Sequence, residues 1–231
     1  MSAGDFLRGL LSLFFPERCP FCDGISVGGE PCESCEQSGL PPGEVRQLPV
    51  PLRFGSCRCV TSYLYEGRVR EAILRFKFRG RRDYAPALGR ALAETLRRSV
   101  GLRGAYLVPV PVAKRRLRER GYNQALLLAK EAARELGIPC RELLEKTVDN
   151  RAQHELQRSD RLLNARNVYR VKKGNAIPGA AILIDDVVTT GNTLAECVKT
   201  LREAGLEVRC CAALASKGLR RPRGVEKTGK P

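Results

Sequence analysis

The chain has 231 residues, enough for one moderate domain with its own core plus an appendage. Its 41 Lys and Arg against 25 Asp and Glu leave a formal net charge of +16, which suits a polyanionic partner such as nucleic acid or phosphorylated small molecules; a solvated basic surface is the alternative. No apolar run approaches the ~20 residues that span a bilayer, and no Walker A or G-x-G-x-x-G sequence occurs, which removes two common phosphate loops.

At the N-terminus, FLRGLLSLFF is interrupted by Arg8 and lacks a small-residue cleavage site before Cys19, so it reads poorly as a signal peptide. Phe6, Leu10, Leu13 and Phe14 share one helical face. That pattern predicts a docked amphipathic helix, with binding at a membrane surface as the alternative. Two C-x-x-C knuckles follow, Cys19 with Cys22 and Cys32 with Cys35. Each can place two thiolates on one tetrahedral ion, so the four predict a structural zinc site. Disulfides are the competing reading, but the chain otherwise reads as cytoplasmic. Cys57 and Cys59 either replace a ligand or occupy opposite faces of a strand, where alternation puts one inside. Residues 39–51 are proline-rich and aperiodic, which reads as a linker.

The pattern CVTSYLY predicts a strand, and EGRVREAILRFKFRG a helix with Val69, Ile73 and Phe76 on one face and Arg70 and Lys77 opposite. A second helix is expected from Pro86, carrying Leu88, Ala91, Leu92 and Leu96. Both are expected to be packing elements. AYLVPVPV, residues 105–112, is the next strand, its prolines bending the end out of the sheet. Lys114, Arg115, Arg116, Arg118 and Arg120 then form a basic loop suited to pyrophosphate oxygens, unless it is only a solvated turn. A helix capped by Asn123 should follow and close near Gly137. The polar run 146–167 reads as a long functional loop. It holds the single histidine, His154, for which no orienting partner can be named.

Residues 181–193 read AILIDDVVTTGNT. The apolar run predicts a buried parallel strand, and ligands of open α/β sheets sit beyond such strand ends. Asp185 and Asp186 would face that ligand. Val188, Thr189, Thr190, Gly191, Asn192 and Thr193 lead into a helix whose start offers unpaired N–H groups and hydroxyl donors to a phosphate. Thr193 with Glu196 fits a capping box. Carboxylates beside a phosphate call for a ligand that brings hydroxyls or a cation, and a sugar phosphate with Mg²⁺ meets both demands. Residues 208–215 predict a last strand, in which Cys210 and Cys211 point to opposite faces so that at most one is readily buried; with Cys140 and Cys197 they read as small packing residues. The basic tail 217–231 reads as disordered. The βα alternation argues for a parallel-sheet α/β domain over 51–216, preceded by a zinc module and linker over 1–50.

The stretch AILIDDVVTTGNT resembles the PRPP-binding signature of the type I phosphoribosyltransferases. VPVPVAKRRLRERGYNQALLLAKEAA, YEGRVREAILRFKFRG and KTVDNRAQHELQRSDRLLNARNVY, with the cysteine knuckles in front, narrow the resemblance to the ComF family. It implies PRPP as ligand, Asp185 and Asp186 on the ribose hydroxyls and the Mg²⁺ shell, Val188 to Thr193 on the 5-phosphate, Lys114 and Arg115 on departing pyrophosphate, and the 146–167 loop as a lid. It also implies a link to DNA uptake in natural transformation, with single-stranded DNA and uptake proteins as candidate partners. A non-catalytic DNA-binding factor that uses the fold as a PRPP sensor or scaffold is the alternative.

Overall fold

In the computed structural model, residues 17–51, 54–147, 168–172 and 178–218 are described. The expected N-terminal helix, His154, the 148–167 part of the expected lid and the tail from 219 lie outside them. A five-stranded sheet runs in the order β1-β2-β7-β6-β3, from β1 (Val45–Pro49), β2 (Ser56–Leu64), β3 (Ala105–Pro109), β6 (Ala180–Val188) and β7 (Glu207–Ser216). The four strands β2, β7, β6 and β3 are parallel, and β1 joins antiparallel at one edge. A short antiparallel ribbon, β4 (Leu144–Lys146) with β5 (Tyr169–Val171), stands apart.

Six α-helices accompany these strands among the described residues: α1 (Glu33–Gln37), α2 (Gly67–Phe78), α3 (Ala85–Ser99), α4 (Lys114–Arg120), α5 (Gln124–Leu136) and α6 (Asn192–Glu203). The sheet is covered on both faces. Val69, Ile73 and Phe76 of α2, Leu88, Leu92 and Leu96 of α3, and Leu128 and Ala132 of α5 pack with Ile182 and Ile184 on one side. Leu194, Val198 and Leu201 of α6 pack with Ala181 and Leu183 on the other. Ile182, Leu183 and Ile184 are fully buried, each worth roughly 1.5–3 kcal/mol. That burial anchors β6 firmly enough to carry two carboxylates at its end.

Several local expectations change. Residues 45–49, read as linker, form β1, in register from Val45 opposite Val60 to Pro49 opposite Ser56. Leu48 is buried there, and an edge strand tolerates Pro49 because its missing N–H is not required. Cys57 and Cys59 are both buried in one cluster, since residues two apart on a strand share a face. Cys57 Sγ lies 3.8 Å from Cys211 Sγ. Cys210 and Cys211 do point to opposite faces, yet both are buried because helices cover each side. The strand from Ala105 ends at Pro109, and the basic stretch after it is helix α4 rather than loop. Helix α6 starts at Asn192 with Gly191 as its cap and no side-chain cap bond, so the Thr193 capping box does not form. Asn123 does cap α5, accepting from Leu126 N at 3.4 Å, and Gly137 closes it in left-handed conformation.

Candidate functional site

The parallel arrangement brings the end of β6 to one edge of the sheet, where alternation sends its two carboxylates to opposite faces. Asp186 turns toward α2. It is 8% exposed, and Lys77 Nζ stands 2.8 Å from its Oδ1. Asp185 turns toward α6, and its Oδ1 accepts the Asp186 backbone N–H at 2.8 Å. Burial first, and the neighbouring Asp186 charge second, push the Asp185 carboxyl up to about 7; the Asp186 N–H and Lys77 oppose that rise. Part of Asp185 stays open to a cavity, so the group is deep yet reachable.

That cavity, about 190 Å³, opens at the strand ends. Asp185 and Asp186 form its acidic floor, while Lys77, Arg116, Arg120 and Lys146 supply cations around it. Gln124 is 1% exposed; its Oε1 accepts from Arg120 Nη1 at 3.2 Å, and its Nε2 has no hydrogen-bond partner among the described residues. Asn123 lines the wall and donates Nδ2 to the Val110 carbonyl at 3.0 Å, which fixes the turn before α5. Lys146 sits over the Tyr169 ring at 5.5 Å, so the β4–β5 ribbon frames the remaining side.

A second cavity of about 30 Å³ is bounded by Val187 to Leu194 and touches Asp185. It is the turn expected to cradle a phosphate. Gly191 adopts φ 86, open to glycine at little cost, and a Cβ there would lie 2.5 Å from Leu48 Cδ2. Arg46 of β1 donates to the Thr189 carbonyl at 2.9 Å. The strand read as linker therefore backs this turn.

Asp185, Asp186 and the 188–193 turn thus converge, as expected of one site. Lys114 and Arg115 do not: neither lines the cavity, and Arg115 pairs with Glu119 at 3.0 Å on the outer face of α4. Arg116 and Arg120 face inward instead, because helical geometry separates side chains that a loop would leave equivalent. Lys77 enters the site from a helix read as packing only. It stands one turn after Ile73, at the flank of the buried stripe and not opposite it as expected, because side chains four apart share a helical face; its reach to Asp186 was not visible in the sequence.

Away from this cavity, the Sγ atoms of Cys19, Cys22, Cys32 and Cys35 all lie within 4.8 Å of one another. Thiolates on one tetrahedral zinc at 2.3 Å would stand about 3.8 Å apart, and Cys22 and Cys32 Sγ are 3.6 Å apart. The Cys32 N–H points at Cys19 Sγ at 3.4 Å, and Arg68 Nη1 reaches Cys35 Sγ at 3.1 Å, the donors that thiolates call for. The donor set fits a zinc ion closed by four sulfurs. Cys57 and Cys59 are not part of this cluster. Among the described residues, no helix is long and apolar enough to cross a membrane.

Comparison with known proteins gives this geometry a setting. A family model described as "Phosphoribosyl transferase domain" matches residues 123–228. Competence protein ComFC of Bacillus subtilis is 34% identical over 143 residues, 62% of this chain and 57% of that protein, so the chain spans little more than half of it. DNA utilization protein YhgH of Escherichia coli is 34% identical over 186 residues, 75% of this chain and 78% of that protein. An orotate phosphoribosyltransferase structure from Aeropyrum pernix is similar at 18% identity, over 78% of this chain and 76% of that one, with a TM-score of 0.35. A relative matched over three quarters of its length makes the chain a member of the ComF family, within the type I phosphoribosyltransferase superfamily.

Proposed function

We propose that the protein binds PRPP and transfers its phosphoribosyl group to an acceptor, releasing pyrophosphate. The observation that carries this reading is that the two cavities share Asp185, Val187 and Thr193. A ligand lying across that junction has a donor-lined turn at one end, two carboxylates in the middle and a cationic chamber at the other. PRPP has a matching order of groups: phosphate, ribose hydroxyls, pyrophosphate.

In this mechanism Thr189, Thr190, Asn192 and Thr193, with the N–H groups at the start of α6, hold the 5-phosphate. Asp185 and Asp186 accept from the ribose hydroxyls, and their charge favours the cationic character that develops at C1. The C1–O bond breaks with its electron pair leaving on pyrophosphate, and the acceptor nucleophile forms the new bond at C1. Arg116, Arg120 and Lys77 receive the departing anion with charge-assisted hydrogen bonds, the role expected of Lys114 and Arg115. The hard oxygen donors of the acidic pair suit the hydrated Mg²⁺ that would shield pyrophosphate when bound.

Replacing both aspartates by asparagine should remove calorimetric binding of PRPP with Mg²⁺. Unchanged binding sinks the reading. A pyrophosphate-release screen with nucleobases and amines, with and without single-stranded DNA, separates a transferase from a PRPP sensor.

The second reading, backbone contact with single-stranded DNA, is favoured by the exposed Lys114 and Arg118 of α4 and by the names of the competence and DNA-utilization relatives. Affinity of that origin falls steeply with salt, so a flat salt dependence rejects it.

A further inference from the structure

We propose that the first Cys-x-x-C knuckle is a positioning element for the reaction centre: it grips the C-terminal end of α2, so that metal occupancy at the four cysteines governs how Lys77 meets Asp186. The direction of the effect on ligand affinity rests on the PRPP reading above; the coupling between the two places does not.

The knuckle is a tight turn. Cys19 N donates to the Gly24 carbonyl at 2.8 Å, and Asp23 N to the Cys19 carbonyl at 2.9 Å. Asp23 sits at φ 63, the one non-glycine residue with positive φ among those described. Aspartate is among the few L-residues that adopt this conformation, and an ion shared by Cys19 and Cys22 would close the turn around it.

What the turn presents is the connection to α2. Arg75 Nη2, in the last turn of α2, donates to the Phe21 carbonyl at 2.8 Å and to the Pro20 carbonyl at 3.3 Å. The Asp23 carboxylate pairs with Arg81 and accepts from Tyr84 Oη at 2.5 Å. Phe21 is buried, its ring edge-on to Tyr63 at 5.5 Å. Arg75 and Arg81 bracket Lys77 in the chain, so the knuckle holds the backbone on either side of the lysine. At the other end of α2, Arg68 reaches Cys35 Sγ of the second knuckle.

The coupling has a physical two-state element, which a mere chain of contacts would lack. With the ion bound, four sulfurs close both knuckles and the carbonyls of Pro20 and Phe21 are held toward Arg75. Without it the turn around Asp23 relaxes, and Arg75 and Arg81 lose partners on both sides of Lys77. Lys77 then no longer holds the Asp186 carboxylate in place beside the chamber, and PRPP affinity falls. The competing account is that Val69, Ile73 and Phe76 fix α2 through the core alone, leaving the knuckle irrelevant to Lys77.

The test uses the full-length zinc-loaded protein. Arg75→Met removes both donors to the knuckle. Asp23→Asn removes the charge facing Arg81 while keeping a residue that tolerates the left-handed turn and an acceptor for Tyr84. For each variant, zinc content, melting temperature, calorimetric affinity for PRPP with Mg²⁺, and the ¹³C resonance of reductively methylated Lys77, assigned with Lys77→Arg, are measured. The expected result is full zinc content, a Lys77 resonance shifted toward that of exposed lysines, and PRPP affinity lower by roughly five- to twentyfold, within the usual span of coupling between sites. Chelation of the wild type should shift the resonance the same way. In a Lys77→Met background, Arg75→Met should have no further effect on PRPP.

The coupling is overturned if zinc-loaded Arg75→Met and Asp23→Asn leave the resonance in place, or if the PRPP effect persists without Lys77. Should the wild type not bind PRPP, the functional reading fails, while the lysine resonance still decides the coupling.

Discussion

Lys77 Nζ lies 2.8 Å from Asp186 Oδ1, joining the last turn of α2 to the acidic end of β6. Only 18% of the lysine side chain and 11% of the aspartate side chain are exposed, so each ion depends on the other. Lys77→Met should cost about 1–2 kcal/mol in urea unfolding, less than for a fully buried pair because the cavity admits water. Adding Asp186→Asn should recover most of that loss. Simple additivity of the two substitutions would mean that the contact carries no energy.

The Asp185 carboxyl, pushed up to about 7 by burial and by Asp186, makes ligand binding depend on pH. Binding that needs the ionised pair should strengthen by up to tenfold per unit as pH rises toward about 7, then level off. Stability of the free protein runs the other way. The folded state binds this proton more tightly than the unfolded chain does. The contribution is therefore fully present below the ordinary carboxylate range and is lost as pH rises through about 7. Calorimetry and thermal melts from pH 5 to 8.5 should show both trends, and Asp185→Asn should flatten them.

Which cations line the cavity separates a basic loop from a basic helix. Arg120 lines the cavity, donates to Gln124 and stacks at 4.7 Å over Phe78, whereas Arg115 pairs outward with Glu119. Arg120→Ala should weaken calorimetric binding of inorganic pyrophosphate by about 1.5–3 kcal/mol, the range for a charged hydrogen bond. Arg115→Ala should stay within about twofold, the scale of an exposed pair. Equal losses would return the anion site to the start of α4.

Gly191 combines φ 86 with a Leu48 methyl 2.5 Å from where a Cβ would stand. Gly191→Ala should cost about 1–3 kcal/mol in stability and weaken phosphate-end binding, measured with ribose 5-phosphate. Leu48→Ala in the same chain should relieve the steric part and leave the backbone part. Full recovery would show that the left-handed turn is not needed.

The four-sulfur cluster predicts about one zinc per chain in reduced protein, lost in Cys22→Ser and retained in Cys57→Ser. Chelation should lower the melting temperature. Zinc-free protein that keeps its fold would overturn the assignment.

Much of this was open to reading from residues alone. The run from Ala181 to Ile184 reads as a buried strand, because four apolar residues leave no polar face and both isoleucines are β-branched. Asn123 and Gly137 bound a helix by local chemistry that needs no tertiary contact. Two C-x-x-C knuckles announce a metal site by spacing.

Other features depended on contacts across the chain. Residues 45–49 contain Pro49, lie between Pro42 and Pro51 and have no clear period, and become a strand because β2 offers an edge. Cys210 and Cys211 are both buried because helices cover both faces of the sheet, a fact about layers rather than about β7. The arginines of α4 divide into inward and outward sets only once that segment is helical. Lys77 reaches Asp186 across more than a hundred residues of chain, and no periodicity encodes a pairing between distant elements. The sequence by itself determined the acidic strand end, the turn that follows it and the paired cysteine knuckles. Tertiary structure alone decided which distant cations complete the site, because an ion pair forms where folded elements meet in space.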